Sequence, residues 1–471
     1  MAYRSGKAGL CLTIKMNQQT TTPVASRPLW QIYLAILLPM MLTNILQSAS
    51  STVDGIFLGQ LLGINAVAAV SAFFPVILLL FAIVIGVSSG ATVLIGQAWG
   101  AGDHSKARTV AVTALAMMIV AGLAVSIVGG LLAPKIISLL GTPVGIQTEA
   151  TTYARTLLIG MPFIFILWLV TSMSRGVSDA VTPLWALLVA TIISLIFTPA
   201  LILGWFGLPQ LGVASAPVST IIASIAALLW LGQHWRRKNH PLAPDFRQLL
   251  KIRINPIMAK VILRIGVPMA VQILTMAIAE IVLLGLVNQH GAQATAAYGA
   301  INQILNWVQF PVMSLGITTS ILTSHAIGAG RPERISKILR TGLMLNIVTT
   351  GSFVLLGYTL AKPIIGLFIT DRDVVASATH LLHIVLWSLL LVGATSVLTG
   401  VMRANGTVFG PTALSILAIL AIEIPLAYGL NARLGLPGIW FAYATTFVSI
   451  LLFQSLFFHF VWHKQQVSRL I

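Results

Sequence analysis

Charged side chains are scarce in this sequence, and acidic ones scarcer still. Asp, Glu, Lys and Arg make up 8% of its 471 residues, and only ten are acidic, where a soluble globular chain is charged at about a quarter of its positions. That poverty of charge excludes an ordinary soluble protein. A single cysteine, Cys11, excludes an intrachain disulfide framework. The long apolar runs lack polar/apolar alternation, which argues against membrane-spanning strands. The signatures of membrane-embedded chemistry are also missing: there is no Gly-x-Ser-x-Gly, no His-Glu-x-x-His, no Walker glycine loop and no paired aspartates in a cytosolic loop. An integral-membrane lipid-modifying enzyme therefore lacks its catalytic constellation.

What is present is hydrocarbon. The chain is 57% hydrophobic with a mean hydropathy of +0.96, and apolar runs of about 20 residues, each enough to cross a bilayer as a helix, recur along it. Twelve spans are predicted, at 31–60, 66–98, 109–132, 152–174, 184–207, 211–233, 256–287, 295–325, 338–361, 378–402, 412–431 and 437–461. The first 30 residues, with Arg4, Lys7, Lys15 and Arg27, are too polar for a signal peptide and read as a cytosolic tail, in which Met16 is an alternative start.

The net charge of +17 is explained by topology. With the N-terminus inside, the outer side receives Lys135, Arg155, Lys362, Arg372 and Arg433. The other 22 of the 27 Lys and Arg residues fall on the cytosolic side, among them Arg236, Arg237, Lys238, Arg247, Lys251 and Arg253. This asymmetry places both termini in the cytoplasm. It implies contact with anionic lipid headgroups and no nucleic-acid partner.

The chain repeats itself. Leu38-Pro39-Met40 recurs as Val267-Pro268-Met269, a shift of 229. Gly96-Gln97-Ala98-Trp99-Gly100-Ala101-Gly102 recurs as Ser324-His325-Ala326-Ile327-Gly328-Ala329-Gly330, and Ser174-Arg175-Gly176 as Met402-Arg403-Ala404, each at a shift of 228. Pro183 is answered by Pro411 at that shift, and Pro199 and Gly212 by Pro425 and Gly438 at 226. Six spans per copy is an even number, so the copies enter the membrane in the same sense and are related by an axis along its normal. The fold class is an all-α integral membrane protein with two pseudo-symmetric six-helix lobes around a central cavity. The lobes occupy 31–233 and 256–461, flanked by tails 1–30 and 462–471 and joined by a basic cytosolic linker at 234–255. The Gly-Ala-Gly turns are read as helix stops. The span prolines remove backbone hydrogen bonds and permit bends.

Seven acids, Asp103, Glu149, Asp179, Asp245, Glu333, Asp371 and Asp373, fall in loops or at span ends. Three lie inside: Asp54, Glu280 and Glu423. No Lys or Arg lies deep in any span, since Lys260 and Arg264 enter the seventh only at its cytosolic end. An acid in hydrocarbon without a base must be protonated, hold a metal cation or await a cationic ligand. Asp54 shifted by 229 falls on position 283, one helical turn beyond Glu280, so each half carries an acid at nearly one level. Glu423 either joins that function or hydrogen-bonds within its own lobe. Asn44, Gln47 and Ser51 precede Asp54 on one helix face, Gln272 precedes Glu280, and Gln303, Asn306, Gln309 and Trp387 complete the polar wall of the predicted cavity. Singly, each amide could equally tie helices together. His325, His380 and His383, near span ends, are read as core or interface histidines.

Twelve spans in two halves, Thr52-Val53-Asp54-Gly55-Ile56-Phe57-Leu58-Gly59, the Gly96–Gly102 turn, Arg175-Gly176-Val177-Ser178-Asp179 and Arg403-Ala404-Asn405-Gly406 resemble the multidrug and toxic compound extrusion (MATE) family, its NorM/DinF-like bacterial branch. The resemblance implies a monomeric antiporter in the bacterial inner membrane. It would expel hydrophobic, mostly cationic drugs or metabolites against inward H+ or Na+, with no cofactor besides that ion. Asp54 matches the family's first-span coupling acid, and Glu280 the seventh-span glutamate of NorM-type members. Na+ at Glu280 or Asp54 is open. The chain departs from the family where NorM-type members carry an aspartate in span ten, since 381–402 has no acid. It departs again where DinF-type archaeal members carry Asn and Asp in span five, since it offers Ser194 and Thr198. Thr407 stands where the loop after span ten usually repeats the aspartate of Asp179, and Glu423 has no counterpart in those patterns. A lipid-precursor flippase, the rival within transport, is expected to show basic residues in the cavity, and the spans hold none at depth.

Overall fold

The computed structural model describes residues 28–238, 240, 242–243, 254–368 and 371–471. The expectations that rest on Cys11, Met16, Asp245, Arg247, Lys251 and Arg253 lie outside the described residues.

Among the described residues, twelve helices are long and apolar enough to cross a membrane: α1 (Leu29–Leu62), α2 (Ile64–Gly100), α3 (His104–Leu139), α4 (Val144–Gly176), α5 (Val181–Leu203), α6 (Gly212–Arg237), α7 (Pro256–Asn288), α8 (Ala292–Gly328), α9 (Arg334–Gly366), α10 (Arg372–Ala404), α11 (Phe409–Leu434) and α12 (Leu436–Lys464). Each sits on one predicted span and most run past it, because the ends are fixed by caps that hydropathy does not see. Asp103 accepts the Lys106 amide (2.9 Å) at the start of α3, and Asn255 accepts those of Ile257 and Met258 (3.0 and 3.3 Å) ahead of α7. Asp371 does the same for Asp373 and Val374 ahead of α10. The predicted fifth span overruns by four residues. Gly204 at φ +74° stops α5, and Trp205–Gly207 forms a separate short turn.

Each lobe is packed around its own apolar core. One gathers Phe73, Leu94, Met118, Leu158, Phe165 and Leu169; the other gathers Leu283, Ile301, Ile365, Leu382, Leu386 and Trp440. Exposed apolar side chains such as Leu131, Leu229, Ile347 and Leu355 cover the outside, as lipid-facing helix surfaces require.

The lobes meet through α1 and α2 of the first and α7 and α8 of the second. Gly86 and Gly266 bring the α2 and α7 backbones together so closely that a Cβ on Gly86 would stand 2.6 Å from the Gly266 carbonyl oxygen, and Gly90 stands likewise against Ile262. Tyr33 Oη donates to the Ile338 carbonyl (2.9 Å), and Asn44 Nδ2 to Ser314 Oγ (3.1 Å). Further side-chain bonds between the lobes, from Gln97 to the Ala404 carbonyl and from His325 to the Gly176 carbonyl, lie at one end of the molecule. That end carries Lys106, Arg236, Arg237, Arg331 and Arg334, and is called the basic end. Toward the opposite end, polar Ser51 and Thr52 of α1 and Asn306 of α8 are exposed, positions that hydrocarbon would penalise.

Candidate functional site

Asp54 sits about seven turns into α1, where that helix packs on α5. Ser194 and Thr198, four apart and therefore on one face of α5, both turn toward it. Ser194 Oγ donates to the Asp54 carboxylate at 3.3 and 3.4 Å to its two oxygens, and Thr198 Oγ1 at 3.2 Å to Oδ1. These bonds are longer than the 2.5–2.7 Å of a strong hydroxyl–carboxylate bond, and two hydroxyl protons fill only part of the roughly four lone-pair sites of a carboxylate. Behind them Ser219 of α6 donates to the Ser194 carbonyl (3.2 Å) and fixes the pair. Tyr153 of α4 lies within electrostatic reach of the acid. Ser194 is 5% and Thr198 0% exposed, whereas Asp54 is only half-buried. The carboxylate is held from behind by hydroxyls and presented on its other side.

The second lobe builds its counterpart from more acid. Glu280 is exposed on α7, and Glu423 is buried at the end of a π-helical turn, Ile419–Glu423, in α11. The two lie within electrostatic reach of each other and of a tyrosine pair, Tyr298 of α8 and Tyr443 of α12, whose hydroxyls are 3.3 Å apart. Asn302 stands one turn along α8 from Tyr298, and the Tyr298 ring lies 5.5 Å from that of Trp440. The repeat explains the arrangement. At the shift of 226 that relates Pro199 to Pro425, Thr198 falls on Ile424, next to Glu423. Glu423 thus occupies the place from which α5 offers hydroxyls to Asp54. The literal counterpart of Asp54 at 283 is a fully buried leucine, so the second acid is displaced by one turn.

The polar residues predicted to wall the cavity separate in the structure. Asn44 bonds across to Ser314 and forms part of the floor where the lobes meet. Gln47 and Ser51 lie above it on α1, part-exposed and exposed. Gln303, Asn306 and Gln309 follow one another along α8 and are accessible to varying degrees. Gln272 reaches α11, accepting from Thr412 Oγ1 at 3.5 Å, inside its own lobe. Trp387 is 43% exposed at a break in α10, where Ser388 bonds back to the Val385 carbonyl. His383 packs at a tilt against Tyr358 with its Nε2 buried and unpartnered, and His325 bridges the lobes. Sequence reasoning missed Tyr298, Tyr443, Asn302 and Tyr153, because aromatic hydroxyls inside apolar spans look like core until neighbouring helices bring acids beside them.

Asp179, outside the spans, caps α5 by accepting from the Thr182 amide (3.0 Å) and stands 3.7 Å from His240 in the linker. Burial, aided by the nearby His234, pushes the His240 imidazole below its ordinary range against the pull of Asp179. The ring stacks on Trp235, 4.7 Å away.

The MatE family model matches the chain twice, over residues 39–200 and 268–429. This chain belongs to the MatE family. The two matches are the two repeated halves, each beginning at the proline inside the first helix of its lobe, Pro39 and Pro268. Among curated MatE-like relatives, a probable multidrug resistance protein of Bacillus subtilis, YoeA, is 37% identical over 97% of this chain and 99% of its own length. The multidrug export protein MepA of Staphylococcus aureus is 26% identical over 88% of this chain and 89% of its own. Among solved structures, a MATE protein in complex with MaD3S superposes with a TM-score of 0.83 at 21% identity, covering 94% of this chain and 96% of that one. A Vibrio cholerae MATE transporter reaches 0.85 at 19% identity, covering 93% and 98%. Both confirm the twelve-helix, two-lobe fold.

Proposed function

We propose that this MatE protein is a secondary active exporter of hydrophobic, mostly cationic small molecules in the bacterial inner membrane, with its basic end and both termini in the cytoplasm. It works as an antiporter rather than an enzyme, by alternating access of its two lobes. The observation that carries the reading is the half-buried Asp54 carboxylate, which accepts from the two hydroxyls of Ser194 and Thr198. An acid so placed can hold an ion or a cationic substrate, but not both well. Protons are the favoured coupling ion, since neutral hydroxyls tolerate the protonated acid as well as the anion. Glu280 with Glu423 forms the second cation or substrate site. Ligands shift the balance of lobe orientations only by their differential affinity for the two states, so loading Asp54 from outside favours release of the drug and the return swing.

In proteoliposomes, a pH gradient without sodium is expected to drive uptake of a fluorescent cationic drug, and Asp54→Asn to abolish it. Undiminished transport by Asp54→Asn would overturn the assignment.

A further inference from the structure

The repeat predicts a pair of equivalent contacts where the lobes meet, and the structure contains them. On α2, Gln97 is 1% exposed, and its Nε2 donates across the lobe boundary to the carbonyl of Ala404 at the end of α10 (2.7 Å). On α8, His325 Nε2 is 2.8 Å from the carbonyl of Gly176 at the end of α4. Because a carbonyl only accepts, that nitrogen carries the proton. Residue 97 maps on 325 and 176 on 404 at the same shift of 228, so these are one contact made twice about the pseudo-two-fold axis. Both acceptors are carbonyls at a helix C-terminus, where no further turn supplies an amide. Both donors are locked by backbone contact: a Cβ on Gly100 would collide with the His325 backbone, and one on Gly328 with the Gln97 backbone. Ser178, the one non-glycine residue with positive φ (+65°) among the described residues, places its hydroxyl 3.5 Å from His325 Nδ1.

The C-terminal tail adds a third component on one side only. The Leu470 amide donates to Gln97 Oε1 (2.8 Å), so the Gln97 amide is engaged at both ends. The Leu470 side chain packs with Val93 of one lobe and Ile265 and Val408 of the other. Upstream, Thr407 Oγ1 donates to Gln465 Oε1 (3.3 Å) and ties the tail to the α10–α11 loop.

We propose that Gln97 and His325 are the positioning residues of the basic-end gate, and that the C-terminal tail is a latch that seats on Gln97 and must withdraw before the lobes part there. The inference rests on the alternating-access reading above, and the two fail separately. Drug transport by Asp54→Asn tests that reading, whereas the gate is read from distances recorded without substrate or ion gradient.

The test is spin-label distance measurement on the full-length protein in nanodiscs, in a Cys11→Ser background. One label pair spans the basic end (Ser105→Cys with Glu333→Cys) and another the opposite end (Gln60→Cys with Gln289→Cys). Gln97→Ala, His325→Ala and removal of residues 466–471 are each expected to raise the ratio of long to short basic-end distances roughly five- to thirty-fold, with shortening at the opposite end. His325→Gln places in the second lobe the side chain that makes the contact in the first, and is expected to keep the wild-type distribution. Unchanged basic-end distances in all three disrupting variants overturn the proposal, and so does a His325→Gln gate as open as that of His325→Ala. Should Gln97→Ala not be recovered folded, the His325→Ala and His325→Gln pair decides the matter alone.

Discussion

At the scale of the residue, the site is defined by what surrounds each acid. Ser194 and Thr198 contribute long hydrogen bonds to Asp54, and a neutral–charged bond of ordinary geometry is worth about 1.5–3 kcal/mol. Bonds this long fall at or below the lower end of that range. Ser194→Ala or Thr198→Ala alone is therefore expected to slow proton-driven transport only several-fold. The double variant should slow it by more than the product of the two, because each hydroxyl compensates for the other; initial rates in proteoliposomes measure this, and a simple product would show that the hydroxyls act independently. His240 permits a pH prediction with a definite sign. Its folded pKa lies below its unfolded value, chiefly through burial. The folded state therefore binds the proton less readily, and the stability this site contributes is present above the unfolded pKa of about 6.5 and is lost as pH falls through it. Between pH 7.5 and 5.5 the melting temperature of the wild type should fall further than that of His240→Phe, which keeps the stack on Trp235 without a titrating ring. Equal falls would remove His240 from the acid response.

At the scale of the element, the two lobes differ in α5 and α11. The first is a regular helix up to Gly204, and its polar face carries hydroxyls; the second is interrupted by a π-helical turn that ends on Glu423. A π-turn amounts to one inserted residue in an α-helix and often marks a functional site. Deleting exposed Leu420 should restore α-helical winding and swing Glu423 away from Glu280 and the tyrosine pair. The deletion is expected to insert and fold, and to match Glu423→Gln in a drug-susceptibility panel run in an efflux-deficient host. A deletion with wild-type resistance would sever Glu423 from transport. The glycine turns carry a related lesson. Gly102 and Gly330, at φ +74° and +67°, are helix stops as the sequence implied. Gly100 and Gly328, two residues earlier, serve instead to let α2 and α8 approach, a need that arises only when the lobes dock.

At the scale of the whole molecule, the inter-lobe bonds of Tyr33, Gln97 and His325 lie toward the basic end, and the exposed polar side chains Ser51 and Asn306 toward the other. A lone cysteine at Ser51, in a Cys11→Ser background, is expected to react with a membrane-impermeant thiol reagent applied at the end opposite the basic one, and to lose at least most of that reactivity in a variant locked in the reverse orientation. Reaction only from the basic side would reverse the assigned orientation. What the sequence determined by itself is what depends on composition and period. Twelve spans follow from apolar runs as long as a bilayer is thick, two lobes follow from a shift near 228 residues, and Asp54 and Glu280 stand out because an acid in hydrocarbon is costly wherever the chain goes. What only the tertiary structure decided is which groups from separate helices meet. Ser194 and Thr198 reach Asp54 because α5 packs on α1, Glu423 and two tyrosines join Glu280 because α11, α8 and α12 converge on α7, and Leu470 finds Gln97 across 373 positions of chain. Contacts of that kind are made by faces of different helices, and a sequence fixes the period of a face without naming the face it will meet.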